Sequence, residues 1–161
     1  MERSGDEWLN KNFGGAGGLT MLGSVLHNID AKGRIIIPLK FREILGDNFI
    51  ITKGLDRCLF AYTMSEWEII SDKIKSLPVT DPSARKFSRF FFGGATTCIP
   101  DKQGRVSIPQ NLQEYASINK EIVSVGLVNR LEIWSAENWT DYSDESFIDD
   151  ELAMHVSNLG I

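Results

Sequence analysis

The stretch D-A-K-G-R-I-I-I-P occupies residues 30–38, and the related stretch D-K-Q-G-R-V-S-I-P occupies residues 101–109. Both contain an aspartate, then a glycine and an arginine three and four positions later, and finally an Ile-Pro pair. Each residue of the second stretch lies 71 positions after its counterpart in the first. A spacing this regular predicts an internal repeat, so the fold is expected to contain two copies of one unit.

The repeat continues on both sides of this motif. Gly23 matches Gly94 at the same offset, and Trp67 matches Trp139 once a single inserted residue is allowed in the second copy. A unit of about 45 residues rarely buries enough apolar surface to be stable alone. We therefore expect the two copies to share one hydrophobic core around a pseudo-two-fold axis.

Local patterns predict two strands joined by a turn, a short helix, two further strands and a longer helix in the first copy, with the same pattern repeated in the second. Asp30 and Gly33 favour the turn, because the carboxylate accepts backbone N–H groups and glycine readily adopts positive φ. Pro38 ends the second strand, since proline cannot donate a ladder hydrogen bond. The short helix is predicted over 39–45.

The longer helix of the first copy is predicted to run from Met64 to Leu77. Residues 63–66 read Thr-Met-Ser-Glu, which is a capping box. Apolar residues then recur with helical spacing, so one face is expected to be buried. The residues of that face are Trp67, Ile70, Ile74 and Leu77.

A further helix is predicted over 84–92, capped by Asp81 or Ser83. The aromatic run at 90–92 fits stacking on nucleic-acid bases. Its position at the end of an apolar helix face favours packing in the core or between subunits instead. The cations of this helix fit a solvated face, which we favour, or a second set of phosphate contacts; they are Arg85, Lys86 and Arg89.

Composition and the repeat together divide the chain into five parts. A glycine cluster without hydrophobic periodicity indicates a flexible N-terminal extension or tag. The C-terminal segment is acidic and is predicted to contain a helix. The parts are the extension at 1–20, the first repeat at 21–70, a helical connector at 71–92, the second repeat at 93–142 and the acidic tail at 143–161.

The net charge of −5 is unusual for a nucleic-acid-binding protein, but the charge is unevenly distributed. Residues 141–161 contain six acidic residues and no lysine or arginine, whereas residues 21–140 contain 15 basic and 13 acidic residues. The repeated region is therefore mildly basic. The distribution matters more than the sum, so nucleic acid remains a candidate partner.

Several functional classes lack support in the sequence. No apolar run approaches the roughly 18 residues that span a bilayer, and no signal peptide is visible, so a cytoplasmic protein without a membrane partner is expected. Cys58 and Cys98 are interpreted as buried free thiols. His27 and His155 are isolated, and no nucleotide-binding motif is present, so neither a metal site nor a cofactor is predicted.

Catalysis is also not predicted, and no residue is assigned a catalytic role. The two equivalent aspartates, Asp30 and Asp101, suggest a carboxylate dyad at first sight. Each is followed by an arginine four positions later, however, and a nearby cation keeps a carboxylate ionised. A dyad instead needs one carboxylate to hold a proton at neutral pH. Pairing of aspartate with arginine across each turn is the simpler interpretation.

The arginines of the repeated motif are the candidate functional residues. Arg34 and Arg105 stand at the ends of the two turns, and arginine bonds guanine with two parallel hydrogen bonds. Lys32 and Lys102 lie beside them and are suited to phosphate attraction. A single Asp-Gly turn is common and usually has only a structural role. Two equivalent turns presented by one symmetric body favour a binding role instead.

The doubled motif resembles that of the MraZ family, which is built from two SpoVT/AbrB-like units. The resemblance covers about residues 21–142. Further matching segments are K-F-R-E at 40–43, A-R-x-F-x-R-F-F-F-x-G-A at 84–95, G-x-x-N-R-x-E-I-W at 126–134, and Trp139.

The resemblance implies a β-rich α+β fold, a double-split β-barrel of AbrB/MraZ type formed by the two repeats with flanking helices. It also implies a homo-oligomeric ring and a nucleoid-associated transcriptional regulator, usually a repressor. Such a regulator binds direct repeats in double-stranded DNA upstream of its own division and cell-wall gene cluster. The DNA-binding residues carried over are Arg34, Arg105, Lys32 and Lys102, with the turns shaped by Asp30, Gly33, Asp101 and Gly104.

The second copy departs from the first at two basic positions. Asn111 stands where the first copy has Lys40, and Gln113 stands where it has Arg42. We therefore expect the second copy to present a less basic face. The alternative function is an oligomeric scaffold that uses the same symmetric body to bind protein partners without DNA.

Overall fold

A computed structural model describes residues 20–144 and 149–160 of the chain. A single 3₁₀ turn, Leu55–Arg57, is found between the third and fourth strands. In chain order the elements are β1 Met21–Asn28, β2 Arg34–Ile36, α1 Leu39–Leu45, β3 Phe49–Lys53, β4 Leu59–Thr63, α2 Met64–Lys75, α3 Pro82–Gly93, β5 Thr96–Cys98, β6 Arg105–Ser107, α4 Gln110–Tyr115, β7 Glu121–Val128, β8 Leu131–Ser135, α5 Ala136–Tyr142 and α6 Asp150–Asn158.

The strands form a six-stranded antiparallel sheet and a separate two-stranded ribbon. The order in the sheet is β1-β7-β8-β4-β3-β5, and the ribbon pairs β2 with β6. From one edge the strands are β1, β7 and β8, and from the other edge they are β5, β3 and β4. Each strand of the first series is the repeat equivalent of the strand at the same place in the second. The predicted pseudo-two-fold arrangement is confirmed, and its axis passes between β4 and β8 and between β2 and β6.

The main core is formed by equivalent residues of both copies. Ile35 in β2 and Val106 in β6 are fully buried and lie opposite each other in the ribbon. Phe41 in α1 and Leu112 in α4, another equivalent pair, are buried in the same cluster. Because neither copy closes this cluster alone, the expectation of one shared core is confirmed.

A second apolar cluster covers the opposite face of the sheet. Alternate residues of a strand point to opposite faces, and β4 shows this directly: Leu59 belongs to the main core, whereas Phe60 and Tyr62 belong to the second cluster. Helices α2 and α3 supply Trp67 and Phe91, whose rings stack with centroids 5.3 Å apart. The aromatic run at 90–92 therefore packs within this cluster.

Most of the predicted helix boundaries are confirmed, with one error. Thr63 caps α2 by accepting the backbone N–H of Glu66, and Asp81 caps α3 by accepting that of Ser83. Leu77, however, lies beyond the end of α2 and is exposed. The chain leaves the helix at Ser76, so the helical periodicity does not extend to Leu77 and its burial was wrongly predicted.

The predicted C-terminal helix is found as α6, capped by the Asp149 side chain. No residue of α6 is buried. Residues 145–148 of the predicted tail lie outside the described residues, as do residues 1–19 of the predicted extension.

The expected β-rich α+β class with flanking helices is confirmed. The strand order leaves β1 and β5 at opposite edges of the sheet, without hydrogen bonds to each other. Within residues 20–144 and 149–160, no helix is both long enough and apolar enough to cross a membrane.

The two cysteines are buried free thiols, as predicted. Burial raises the pKa of the Cys98 thiol to about 12, and it raises the pKa of Cys58 still further. Both side chains therefore stay protonated at neutral pH and serve as small apolar core residues.

Gly126 gives a test of this topology, because it lies opposite Gly23 where β1 meets β7. A Cβ at Gly126 would come 2.5 Å from the backbone of Met21 and Leu22, which cannot move aside as a side chain does. We expect Gly126→Ala to lower the free energy of unfolding by about 1–3 kcal/mol, as overpacking does, in urea denaturation.

Gly93→Ala is the matched control, since a Cβ at Gly93 has nothing within 4 Å. It should leave the urea midpoint unchanged or raise it slightly. Equal stability of the two variants would contradict the close β1–β7 approach.

Candidate nucleic-acid interface

The first motif forms a loop held by the Asp30 carboxylate. One carboxylate oxygen accepts the backbone N–H groups of Lys32 and Arg34, each at 2.9 Å. The other oxygen accepts a hydrogen bond from Nε of the Arg34 side chain at 2.8 Å. Backbone bonds from Asp30 N to Arg34 O and from Gly33 N to Asp30 O close the turn. One side chain thus shapes the loop and orients its arginine.

The second motif repeats this geometry. Asp101 accepts the backbone N–H groups of Gln103 and Arg105 at 2.8 and 2.9 Å, and it accepts Arg105 Nε at 2.7 Å. The same two backbone bonds close the turn. The pairing of aspartate with arginine predicted from the sequence is therefore present in both copies.

The glycine of each loop is required by the backbone. Gly33 has φ of 76° and Gly104 has φ of 80°, in the left-handed region that other residues rarely adopt. The conformation returns the chain towards β2 and β6 immediately before each arginine. Both turn-shaping glycines predicted from the sequence thus occupy turn positions.

Both loop carboxylates are held in the ionised form. Hydrogen bonding from the backbone N–H of Arg34, followed by that side chain's own bond and charge, lowers the pKa of Asp30 below its ordinary value. The equivalent groups of Arg105 lower the pKa of Asp101. Because both pKa values are lowered, the two carboxylates differ from a catalytic dyad, in which one is raised.

The β2–β6 register brings the two arginines together. Arg34 pairs with Ser107, and Ile36 pairs with Arg105. Residues alternate between the faces of a strand, and the intervening Ile35 is buried. Arg34 and Arg105 therefore share the outer face of the ribbon as diagonal neighbours, whose α-carbons lie roughly 7–8 Å apart in such a pair.

The guanidinium groups of this ribbon keep donors available. Within each guanidinium group, only Nε bonds to the aspartate of its own loop. Among the described residues, the structure gives their terminal nitrogens no partner. An arginine held at Nε with both terminal nitrogens free is suited to bind a phosphate or a base edge through two parallel hydrogen bonds.

Lys32 and Lys102 are exposed in the two loops. The described part of the chain offers neither ammonium group an ion-pair partner. The structure therefore brings all four sequence-predicted cations to the loops at the two ends of one short ribbon.

The structure corrects the expectation of a less basic second copy. A Cβ at Gly104 would collide with Nη1 of Arg42, so the first-copy arginine lies against the second-copy loop. A Cβ at Gly33 would likewise collide with Nε2 of Gln113, the equivalent side chain of the second copy. Helices α1 and α4 thus each cover the loop of the other copy, and the extra cation is beside the second loop.

Two residues of the outer ribbon face were missed by sequence reasoning. Ile36 is 47% exposed between the two arginines, although it stands in a β-branched run that suggests burial. Ser107 is its exposed equivalent in the second copy. The alternation within I-I-I and V-S-I is the signal that identifies them, since only the middle residue of each triplet lies on the outer face.

Other candidate sites gain little support. Arg85, Lys86 and Arg89 are exposed on α3, and Arg85 donates to the Val79 carbonyl. Among the described residues, no group of three or more histidine, cysteine or acidic side chains is placed to hold a metal ion. His27 bonds instead to the Ser124 hydroxyl at 2.7 Å.

The fold and site define a class of protein in which two internal repeats present paired arginine loops from one symmetric body. The family model described as "MraZ protein, putative antitoxin-like" matches residues 20–90 and again 91–158.

The relatives agree with that match. The chain is 56% identical over 140 residues to a protein of Clostridium acetobutylicum and 54% identical over 140 residues to one of Clostridium tetani. A protein of Halothermothrix orenii is 54% identical over 143 residues. In each case 87% of this chain and 99% of the relative are covered, and each relative is named transcriptional regulator MraZ. The chain belongs to the MraZ family.

The loop geometry predicts an acid-sensitive turn. Because folding lowers the pKa of each aspartate, its bonds to the loop stabilise the fold fully at pH values above the unfolded-state pKa, which is near 3.9 for aspartate. This stabilisation is lost as the pH falls through the lower, folded-state pKa. We expect carboxyl NMR titrations of Asp30 and Asp101 to show midpoints below that of free aspartate.

Arg34→Ala should raise the Asp30 midpoint towards its ordinary value and leave that of Asp101 unchanged. Arg105→Ala should do the reverse. Ordinary midpoints in the unsubstituted protein would show that the carboxylates do not hold these loops in solution.

Proposed function

We propose that this protein is a DNA-binding transcriptional regulator that recognises promoter DNA through its two D-x-x-G-R loops. As the family resemblance implies, the target is a set of short direct repeats upstream of its own division and cell-wall gene cluster, and the effect is repression. The subunits act as a homo-oligomeric ring on the nucleoid, in the cytoplasm. The names of the relatives support the regulatory part of this proposal.

The observation that carries the proposal is the outer face of the β2–β6 ribbon. Two arginines lie there as diagonal neighbours, each held at Nε by an aspartate of its own loop. Because the aspartates already hold the guanidinium groups, little side-chain freedom remains to be lost when DNA binds. The B-DNA major groove is wide enough to admit a two-stranded ribbon.

Each loop residue has a distinct proposed role. Arg34 and Arg105 contact base edges or phosphates through their terminal nitrogens. Lys32 and Lys102 attract phosphates and make the affinity depend on salt. The two aspartates and two glycines of the loops bind no DNA; they hold the turns that position the arginines.

Ring assembly accounts for binding by a chain of net charge −5. One subunit offers two loops, but several linked subunits meet successive DNA repeats. The second contact is then intramolecular and gains by effective concentration. The weak basic character of each subunit's repeated region, residues 21–140, is thereby multiplied.

The proposed functional parts follow the repeat. The first DNA-binding copy is assigned to residues 21–70 and the second to 93–142, joined by the connector at 71–92 and followed by the tail at 143–161. The family model matches residues 20–90 and 91–158, and these two ranges meet within α3.

The alternative proposal, a protein-binding scaffold, has one observation in its favour. Leu22 and Leu26 on the edge strand β1 are 60% and 62% exposed. An apolar pair on an open strand edge suits contact with another protein chain. Ring contacts between subunits use such a surface equally well.

Substituting both arginines separates the two proposals. We expect Arg34→Ala combined with Arg105→Ala to reduce the affinity for the protein's own promoter DNA by at least about a hundredfold, since each charge-assisted contact contributes roughly tenfold or more. The fold and the oligomer should remain intact. The measurement is fluorescence anisotropy of the labelled promoter duplex, against a scrambled duplex, at two salt concentrations.

Lys86→Ala combined with Arg89→Ala is the control, because it removes the same charge from an exposed part of α3. It should keep the preference for the promoter duplex. Equal losses in both double variants would favour the phosphate contact on α3. A folded, assembled protein that binds neither duplex would instead support the scaffold.

A further inference from the structure

The two loops of one chain are built alike but are covered by different side chains. Gln113 of α4 lies against Gly33 of the first loop, and Arg42 of α1 lies against Gly104 of the second. These two residues are equivalent, 71 positions apart. The symmetric fold thus places a neutral amide on one loop and a guanidinium on the other.

The two covering side chains also differ in how they use their donors. Gln113 donates its Nε2 hydrogen to the Ile108 carbonyl at 2.7 Å, so this donor is used inside the protein. The guanidinium group of the half-buried Arg42 has no hydrogen-bond or ion-pair partner within residues 20–144 and 149–160. Its charge adds to those of Lys102 and Arg105 and strengthens the attraction of this loop for an anion such as a phosphate.

The charge difference therefore falls across the pseudo-two-fold axis. The second loop carries Lys102 and Arg105 and has the guanidinium of Arg42 against its glycine. The first loop carries Lys32 and Arg34 and has the neutral Gln113 at the equivalent place. The two ends of the ribbon face also differ from each other, because the apolar Ile36 of the first copy is equivalent to the polar Ser107 of the second. An apolar side chain suits a thymine methyl group, and a hydroxyl suits a hydrogen-bonding base edge.

We infer that Arg42 is a DNA contact of the second loop and that the Arg42–Gln113 difference fixes the direction in which a subunit lies on its site. This inference rests on the proposed DNA-binding function. A fully symmetric reader binds an asymmetric sequence equally in either direction. A subunit with an arginine on one loop and a neutral glutamine on the other does not, and this polarity suits repeats that all point the same way.

The competing interpretation is that Arg42 only covers Gly104 by packing. Two substitutions separate packing from charge. Arg42→Met keeps an unbranched side chain of similar reach but removes the charge, and Arg42→Lys keeps the charge. A DNA contact requires Arg42→Met to weaken binding and Arg42→Lys to retain most of it; packing alone predicts no effect of Arg42→Met on DNA.

The decisive variant exchanges the two side chains, Arg42→Gln combined with Gln113→Arg. Because the equivalent position already accommodates arginine in the first copy, the fold should accept the exchange. Arg42→Gln alone should weaken binding to a duplex with one repeat about tenfold and lower the salt slope by about one. The exchange should restore affinity and slope but reverse the direction of binding.

The direction is read by DNA cleavage from an iron chelate attached to Ala31→Cys in the exposed first loop. Cys58 and Cys98 are the only natural cysteines, and both are buried, so the chelate labels the new thiol. Cleavage should fall on one side of the repeat in the labelled parent and on the other side in the labelled exchange variant. Circular dichroism and chromatographic size confirm that every variant is folded and assembled.

The outcomes distinguish this inference from the proposed function. If the parent binds the repeat but Arg42→Met binds as tightly, Arg42 is a packing residue and the inference is wrong. Restored affinity with cleavage on the original side overturns the claim about direction. If the folded parent binds no promoter DNA, the proposed function fails and this inference fails with it.

Discussion

The antiparallel pairing of β2 with β6 is the interaction on which the rest of the structure depends. It joins the two copies at their symmetry axis and places Ile35 against Val106 in the shared core. Each ribbon strand has only three residues and would not be stable alone. The pairing therefore forms only when both copies fold together, and the core, the outer face and both loops are consequences of one cooperative arrangement.

The same pairing converts two ordinary turns into one surface. An aspartate that accepts two backbone N–H groups and an arginine Nε stabilises its own loop, and alone it would be only structural. Antiparallel register then places the two arginines on the same outer face, diagonal to each other. The function that we propose arises from this combination, in which local hydrogen bonds orient each guanidinium and long-range pairing sets the spacing between them.

Local features were predictable because their causes are local. The Asp-Gly turns, the ends of β2 and β6 before proline, and the caps of α2 and α3 each depend on residues within a few positions. The burial of Leu77 was predicted wrongly because periodicity does not show where a helix ends against its neighbours. The exposure of Ile36 was missed for a related reason, since a β-branched triplet does not reveal which side of a ribbon meets solvent.

By itself the sequence determined that the chain is a duplication and that each copy contains a turn held by aspartate and ending in arginine. It also determined that the copies share a core, because a unit of this size buries too little apolar surface alone. Only the tertiary structure decided which strands pair and which helix covers which loop. Arg42 is encoded in the first copy yet lies on Gly104 of the second. No local pattern contains that fact, because the position of α1 beside the loop of the other copy follows from packing around the symmetry axis.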